Sequence, residues 1–181
     1  MRTILVTGGA GFVGSHACKA LRTAGYLPVT YDNLSRGVSE AVRWGPLEVG
    51  DLADHARLAA VLEVHRPVAV MHFAALAYVG ESVADPGLYY SNNVAGSLTL
   101  IRAALAADVR AIVFSSTCAT YGTAERLPLT EQAPQRPINP YGWSKLMVER
   151  ILWDFDAAHG LRSVMLRYFN PAGADPDREN V

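Results

Sequence analysis

Cysteine is scarce. Cys18 and Cys118 are the only 2 in 181 residues, too few and too far apart for a disulfide framework or a zinc site. A reduced, cytoplasmic setting is therefore expected. Charge is scarce too: 18% of residues are charged, and 16 Lys and Arg against 17 Asp and Glu leave a net charge of -1. That balance lacks the basic footprint of a nucleic-acid binder, and the apolar content excludes a disordered chain. No apolar run approaches the roughly 20 residues that span a membrane. The N-terminal MRTILVTGG breaks into glycine too early for the apolar core of a signal peptide. Internal repeats and low-complexity linkers are also missing. With 50% of residues apolar, a chain of this length predicts one domain with its own core.

What is present is an alternation of short apolar runs and longer amphipathic ones. TILVT (3–7) predicts a strand buried on both faces. Residues 12–25 predict a helix stopped at Gly25, 27–31 a second strand, 34–46 an irregular stretch, 47–50 a third strand and 53–65 a helix. Pro67 opens the apolar strand VAVMHF, 86–107 reads as one long helix, and AIVFSS (111–116) as the next strand. Pro and Gly cluster at 122–140, which predicts a long loop. Asn139-Pro140 reads as an N-cap with Pro at the first helical position, opening a helix to about 158 with Gly160 as its stop. SVMLRYF (163–169) closes the series. Strands alternating with helices predict an α/β fold, a doubly wound parallel sheet.

Gly8, Gly11 and Gly14 lie between the first strand and the first helix. Small residues there permit a tight turn, a close backbone approach to a pyrophosphate, and close helix–strand packing. Free N–H groups at the helix start would face the phosphates. The triplet alone is weak evidence, and an ordinary tight turn is the alternative; its placement between strand and helix strengthens it. Asp32 ends the second strand, where a carboxylate would bind the adenosine ribose hydroxyls and repel a 2′-phosphate, favouring NAD over NADP. Arg36 lies close enough to blur that choice, and a solvated turn pair is the rival reading of Asp32 and Asn33. Asp51 suits a contact to the adenine amino group or a helix N-cap, and the two roles are compatible.

Tyr141 and Lys145 are one turn apart on a predicted helix and share a face. A free tyrosine titrates near about 10 and is a poor base at neutral pH. A nearby ammonium and the positive charge of an oxidised nicotinamide would favour the phenolate, making the pair a general base and its tuner. The rival is an exposed Tyr–Lys pair on a solvated helix. Ser115, Ser116 and Thr117 end a strand whose C-terminus faces the ligand crevice of such a sheet. A hydroxyl there can bond a substrate oxygen or cap the strand end.

Taken together, TGGAGFVGSH (7–16), YDNLSRG (31–37), GDLAD (50–54), HFAALAYVGESV (72–83), YYSNNVAGSL (89–98), FSSTCATYG (114–122), NPYGWSKLMVE (139–149) and RYFNPAGA (167–174) resemble the extended short-chain dehydrogenase/reductase superfamily. Within it the chain is similar to the UDP-glucose 4-epimerase family. The resemblance implies a Rossmann fold, an NAD-binding domain over 1–181, and a missing C-terminal substrate lobe, since the family's chains run well past RYFNPAGA. It implies Thr117, Tyr141 and Lys145 as the catalytic set, with Thr117 and Tyr141 also meeting the sugar and Asn170 the UDP-sugar. For the cofactor it implies Gly8, Gly11, Phe12, Val13 and Gly14; then Asp32, Asn33, Leu34, Ser35, Arg36 and Gly37; Asp51 and Leu52; Phe73, Ala74, Ala75, Leu76 and Ala77; Asn92; Thr117, Tyr141 and Lys145; and Phe169 beside the nicotinamide. Ala77 departs from family members that hold the cofactor with a lysine there, and Cys118 replaces a small apolar residue.

The implied reaction inverts C4 of a UDP-hexose through a 4-keto sugar, interconverting UDP-glucose and UDP-galactose with NAD retained. Alternatives are an epimerase of UDP-glucuronate or UDP-N-acetyl sugars, a non-catalytic NAD-binding module, and an inert partial fold. A 4,6-dehydratase is disfavoured, because Cys118-Ala119 stand where those enzymes carry Asp-Glu. The family commonly dimerises through the two long helices, which implies a homodimer. Plainer expectations complete the reading. His72 is a hydrogen-bonded core residue; His16, His55, His65 and His159 lack metal-ligand spacing; Trp143, Trp153 and Phe155 pack.

Overall fold

The computed structural model describes residues 1–124, 126–177 and 179–180. Its chain order is β1 (Thr3–Thr7), α1 (Phe12–Thr23), β2 (Leu27–Asp32), β3 (Leu47–Val49), α2 (His55–His65), β4 (Ala69–His72), α3 (Val79–Ala84), α4 (Pro86–Tyr89), α5 (Gly96–Ala106), β5 (Ala111–Thr117), α6 (Pro140–His159) and β6 (Arg162–Tyr168). The strands form one parallel sheet in the order β3-β2-β1-β4-β5-β6. The doubly wound parallel sheet read from the alternation is observed, and with it the Rossmann fold that the resemblance implied.

Side chains of a strand alternate between faces, and β1 uses both. Leu5 joins the larger core with Leu58 and Leu62 of α2, Leu100 and Ile101 of α5, and Val148 and Leu152 of α6. Ile4 and Val6 face the other way, onto Cys18 and Leu21 of α1. The sheet is thus covered on both sides, as an all-parallel sheet requires. The chain leaves β1 toward β2 on one side and β4 on the other, so the order reverses there and a crevice opens at the strand C-termini.

Helix ends follow local chemistry. Asn139 Oδ1 accepts from Gly142 N at 2.8 Å, Pro140 occupies the first turn of α6, and Gly160 ends it at φ 67. Asp54, not Asp51, caps α2, accepting from Arg57 N at 2.9 Å. The stretch expected as one helix over 86–107 is interrupted: α4 passes into a π-helical segment, Tyr90–Ala95, before α5. Ser97 and Thr99 hydroxyls donate to the Asn93 and Ala95 carbonyls. Helix α3 was not foreseen; it is one short turn-and-a-half whose Ser82 is buried while Val83 stays exposed. Residues 122–139 carry no helix or strand among the described residues. Of the aromatic side chains of α6 expected to pack, Phe155 meets the core, but Trp143 and Trp153 remain 43% and 49% exposed because they point away from the sheet. Among the described residues, no helix is long and apolar enough to cross a membrane.

Candidate functional site

A cavity of about 670 Å³ lies over the C-terminal ends of all six strands, a size typical of ligand sites. Its floor is the glycine loop. Gly8 has φ +73, and a Cβ there would lie 2.5 Å from Ala74 N. At Gly14 a Cβ would lie 2.2 Å from Gly8 O, so only glycine lets α1 approach the loop this closely. Gly11 caps α1 without a side-chain hydrogen bond. The free N–H groups of the first turn therefore face a cavity that Phe12, Val13 and Gly14 help to line. Such an arrangement can hold a diphosphate.

Asp32 stands beside the loop, 8% exposed, with Oδ2 accepting from Ala10 N at 3.1 Å and Oδ1 from Leu34 N at 2.9 Å. The two backbone donors fix the carboxylate and leave its remaining lone pairs toward the cavity. Asn33 Nδ2 donates to Asp51 Oδ2 at 2.7 Å, joining the loops after β2 and β3. Ser35, Arg36, Gly37, Asp51 and Leu52 also line the cavity. Leu34 does not. Its φ of 59 turns the loop, and its N–H is held by Asp32.

Past β4, residues Phe73 to Ala77 form the opposite wall together with Asn92. Asn93, 2% exposed, pins that wall: Oδ1 accepts from Leu76 N at 2.9 Å, and Nδ2 donates to Leu76 O at 2.9 Å and Ser144 Oγ at 3.1 Å. The sequence singled out its neighbour Asn92 and missed this one, because its burial comes from packing against Leu76 and Ser144, which lie on other segments.

The far end holds Thr117, Tyr141 and Lys145, with Phe169 and Asn170 just after β6. Lys145 is 3% exposed, and among the described residues no carboxylate pairs with it. Its Nζ donates to Ser115 O at 2.8 Å and lies 4.9 Å from the Phe114 ring centroid. Burial pushes its pKa down to about 7. Burial likewise raises the Tyr141 phenol, and a hydrogen bond with Thr117 pulls it back. The expectation was that the ammonium and an oxidised nicotinamide together favour the phenolate; in the chain by itself burial is the largest influence at both groups.

Strand-end hydroxyls divide their work. Thr117 Oγ1 accepts from Ala119 N at 3.1 Å and still faces the cavity. Ser116 donates to Glu149, which is fully buried and also accepts from Arg167 Nη2 at 2.7 Å and Gln135 Nε2 at 3.0 Å. The Arg167 guanidinium and these donors hold the Glu149 carboxyl below the usual range, against the effect of burial, which opposes them. His72 is a core residue, bonded to Thr7 Oγ1 at 2.7 Å and Ser97 Oγ at 2.8 Å, with burial pushing it down to about 3. Tyr78, Val79, Cys118 and Tyr168 line the cavity and were not among the predicted site residues. Among the described residues, no group of three or more His, Cys, Asp or Glu is placed to hold a metal.

Comparisons with known proteins agree with this geometry. Residues 4–181 match the family described as NAD dependent epimerase/dehydratase. The UDP-glucose 4-epimerase of Rhizobium leguminosarum bv. trifolii is 59% identical over 173 residues, 96% of this chain and 53% of that protein. Among solved structures, the UDP-glucose 4-epimerase from Brucella ovis in complex with NAD superposes with a TM-score of 0.98 at 54% identity, covering 99% of this chain and 55% of that one. The UDP-glucose 4-epimerase from Stenotrophomonas maltophila, with bound NAD and formylated UDP-arabinopyranose, gives 0.95 at 38% identity, covering 99% and 56%. The chain spans about half the length of the curated relatives it matches.

Proposed function

The chain belongs to the NAD dependent epimerase/dehydratase family, and we propose that it carries the NAD-binding and proton-transfer part of a UDP-hexose 4-epimerase interconverting UDP-glucose and UDP-galactose. One observation carries the reading: Thr117, Tyr141 and Lys145 open into the same cavity as the glycine loop and Asp32. The residues present suit NAD. The start of α1 offers uncapped N–H groups to a diphosphate, Asp32 offers a carboxylate to ribose hydroxyls, and Phe169 offers an apolar face at the Tyr141 end. When bound, NAD would supply the acceptor that takes hydride from C4 of the sugar and returns it to the other face.

The remaining chemistry belongs to the chain. Tyr141 takes the proton of the 4-hydroxyl and later restores it. Thr117 holds the same oxygen by a hydrogen bond, and Asn170 meets the UDP-sugar. Lys145, one turn along the same helix, adds a donor lining the same cavity as Tyr141. Cys118-Ala119 after Thr117 supply no acid–base pair, so an elimination step lacks its residues here. The reading includes a homodimer through the exposed faces of the long helices, where Trp143 and Trp153 stand out, and a cytoplasmic setting, in keeping with two free thiols.

A second substrate class, UDP-N-acetyl sugars, is favoured by one observation: a solved structure similar to this chain at 38% identity is named the UDP-Glc/GlcNAc 4-epimerase from Campylobacter jejuni. The test is turnover of the protein containing this chain on UDP-glucose, UDP-galactose, UDP-N-acetylglucosamine and UDP-glucuronate. The expected result is UDP-hexose turnover that falls at least about 100-fold in Tyr141→Phe, with NAD binding retained. Near-normal turnover in that variant would remove Tyr141 as the base.

A further inference from the structure

Three residues outside the glycine loop join the two walls of the cavity. Arg36 belongs to the loop after β2; Tyr78 and Glu81 follow β4, on the other side of β1. Arg36 Nη2 meets Glu81 Oε1 at 2.6 Å, and its guanidinium carbon lies 5.3 Å from the Tyr78 ring centroid. Since β1 separates β2 from β4, this contact crosses two inter-strand spacings, about 10 Å. Arg36 and Tyr78 line the cavity, whereas Glu81 stands behind them and does not.

The far anchor is rigid. Tyr89 is fully buried. Its hydroxyl accepts from Tyr78 N at 2.8 Å and shares its proton between Tyr78 O at 2.7 Å and Glu81 Oε2 at 2.8 Å. Its ring meets Tyr141 edge-on, with centroids 6.4 Å apart. The Tyr89 hydroxyl, and after it Arg36, holds the Glu81 carboxyl below its ordinary range, so Glu81 is charged at neutral pH. The near end is weaker: the Arg36 and Glu81 side chains are 52% and 31% exposed, so the ion pair is open to solvent and salt.

We propose that Arg36, Glu81 and Tyr78 form a strap across the dinucleotide cleft, anchored by Tyr89, that must open for the cofactor to enter or leave. The proposal rests on the NAD reading above. It assigns Arg36 a gating role in place of a direct cofactor contact, and it supplies retention on the wall where Ala77 cannot. A contact made equally in the free and bound states changes rates and leaves affinity alone. The strap therefore predicts parallel changes in association and dissociation.

The test is stopped-flow binding of NADH, as fluorescent probe, to the unmodified chain and to Glu81→Gln. That substitution removes the charge, retains an oxygen for Tyr89, and alters no cavity-lining residue. Both rate constants are expected to rise together by about twofold to fivefold, the range for a partly exposed ion pair, with Kd unchanged. At about 1 M salt, where screening acts within about 3 Å, the two proteins should converge. Unchanged rates, or a rise in dissociation and Kd without faster association, would overturn the strap while leaving NAD binding intact. Failure of the folded, unmodified chain to bind NADH would overturn both. Should Glu81→Gln not fold, the unmodified chain answers alone. Opening the strap with salt speeds entry, whereas screening of an anionic ligand's attraction slows it.

Discussion

At Lys145 an amine is buried with no carboxylate partner among the described residues. A backbone carbonyl and the face of Phe114 are what it has. The group gives up its proton near about 7 when folded, against 10.5 when free. Between those values the unfolded chain binds the extra proton, so folding stability rises with pH across that window. Lys145→Met should lose this slope: thermal melts of the free protein from pH 7 to pH 10 should rise in the unmodified chain relative to the variant. Equal pH dependence would mean that the amine is solvated and charged throughout. Burial also raises the Tyr141 phenol, moving it further from the phenolate than a free tyrosine, so its activation is expected only with ligands bound. Spacing made Tyr141 and Lys145 legible as a pair, because residues one turn apart share a helix face. Their protonation was not legible, because desolvation depends on what the rest of the chain packs around them.

Among elements, the stretch from β1 through the glycine loop to α1 was readable because each part obeys a local rule: an apolar strand, glycines where a Cβ would strike backbone, then a helix start with no side-chain cap. Helix α6 was readable from Asn139, Pro140 and Gly160. The π-helical segment was not, since it interrupts a stretch with ordinary helical periodicity. Nor were the Glu149–Arg167 pair and the Tyr89 anchor, whose partners lie on other elements. The π-helical segment places Asn93 against Leu76 and Ser144. Asn93→Ala should leave the Leu76 amide and carbonyl unpaired and cost about 2 kcal/mol, read as a lower urea midpoint with unchanged slope. A change under about 0.5 kcal/mol would mean that water replaces the side chain and the wall does not depend on it.

For the whole molecule, sheet order decides where function can reside. Reversal at β1 opens one crevice, and the loops after all six strands reach it. Motifs that are each weak alone thereby converge on a single cavity, with the glycine loop and Asp32 toward one end and Tyr141 toward the other. The central claim is that this cavity takes NAD and that Asp32 selects it over NADP. Parallel calorimetric titrations of the folded chain with NAD and NADP test it most directly. The account predicts saturable one-to-one NAD binding and NADP weaker by at least about tenfold, the equivalent of 1.4 kcal/mol. Equal affinity for both, or no NAD binding by a chain that melts cooperatively, would contradict it.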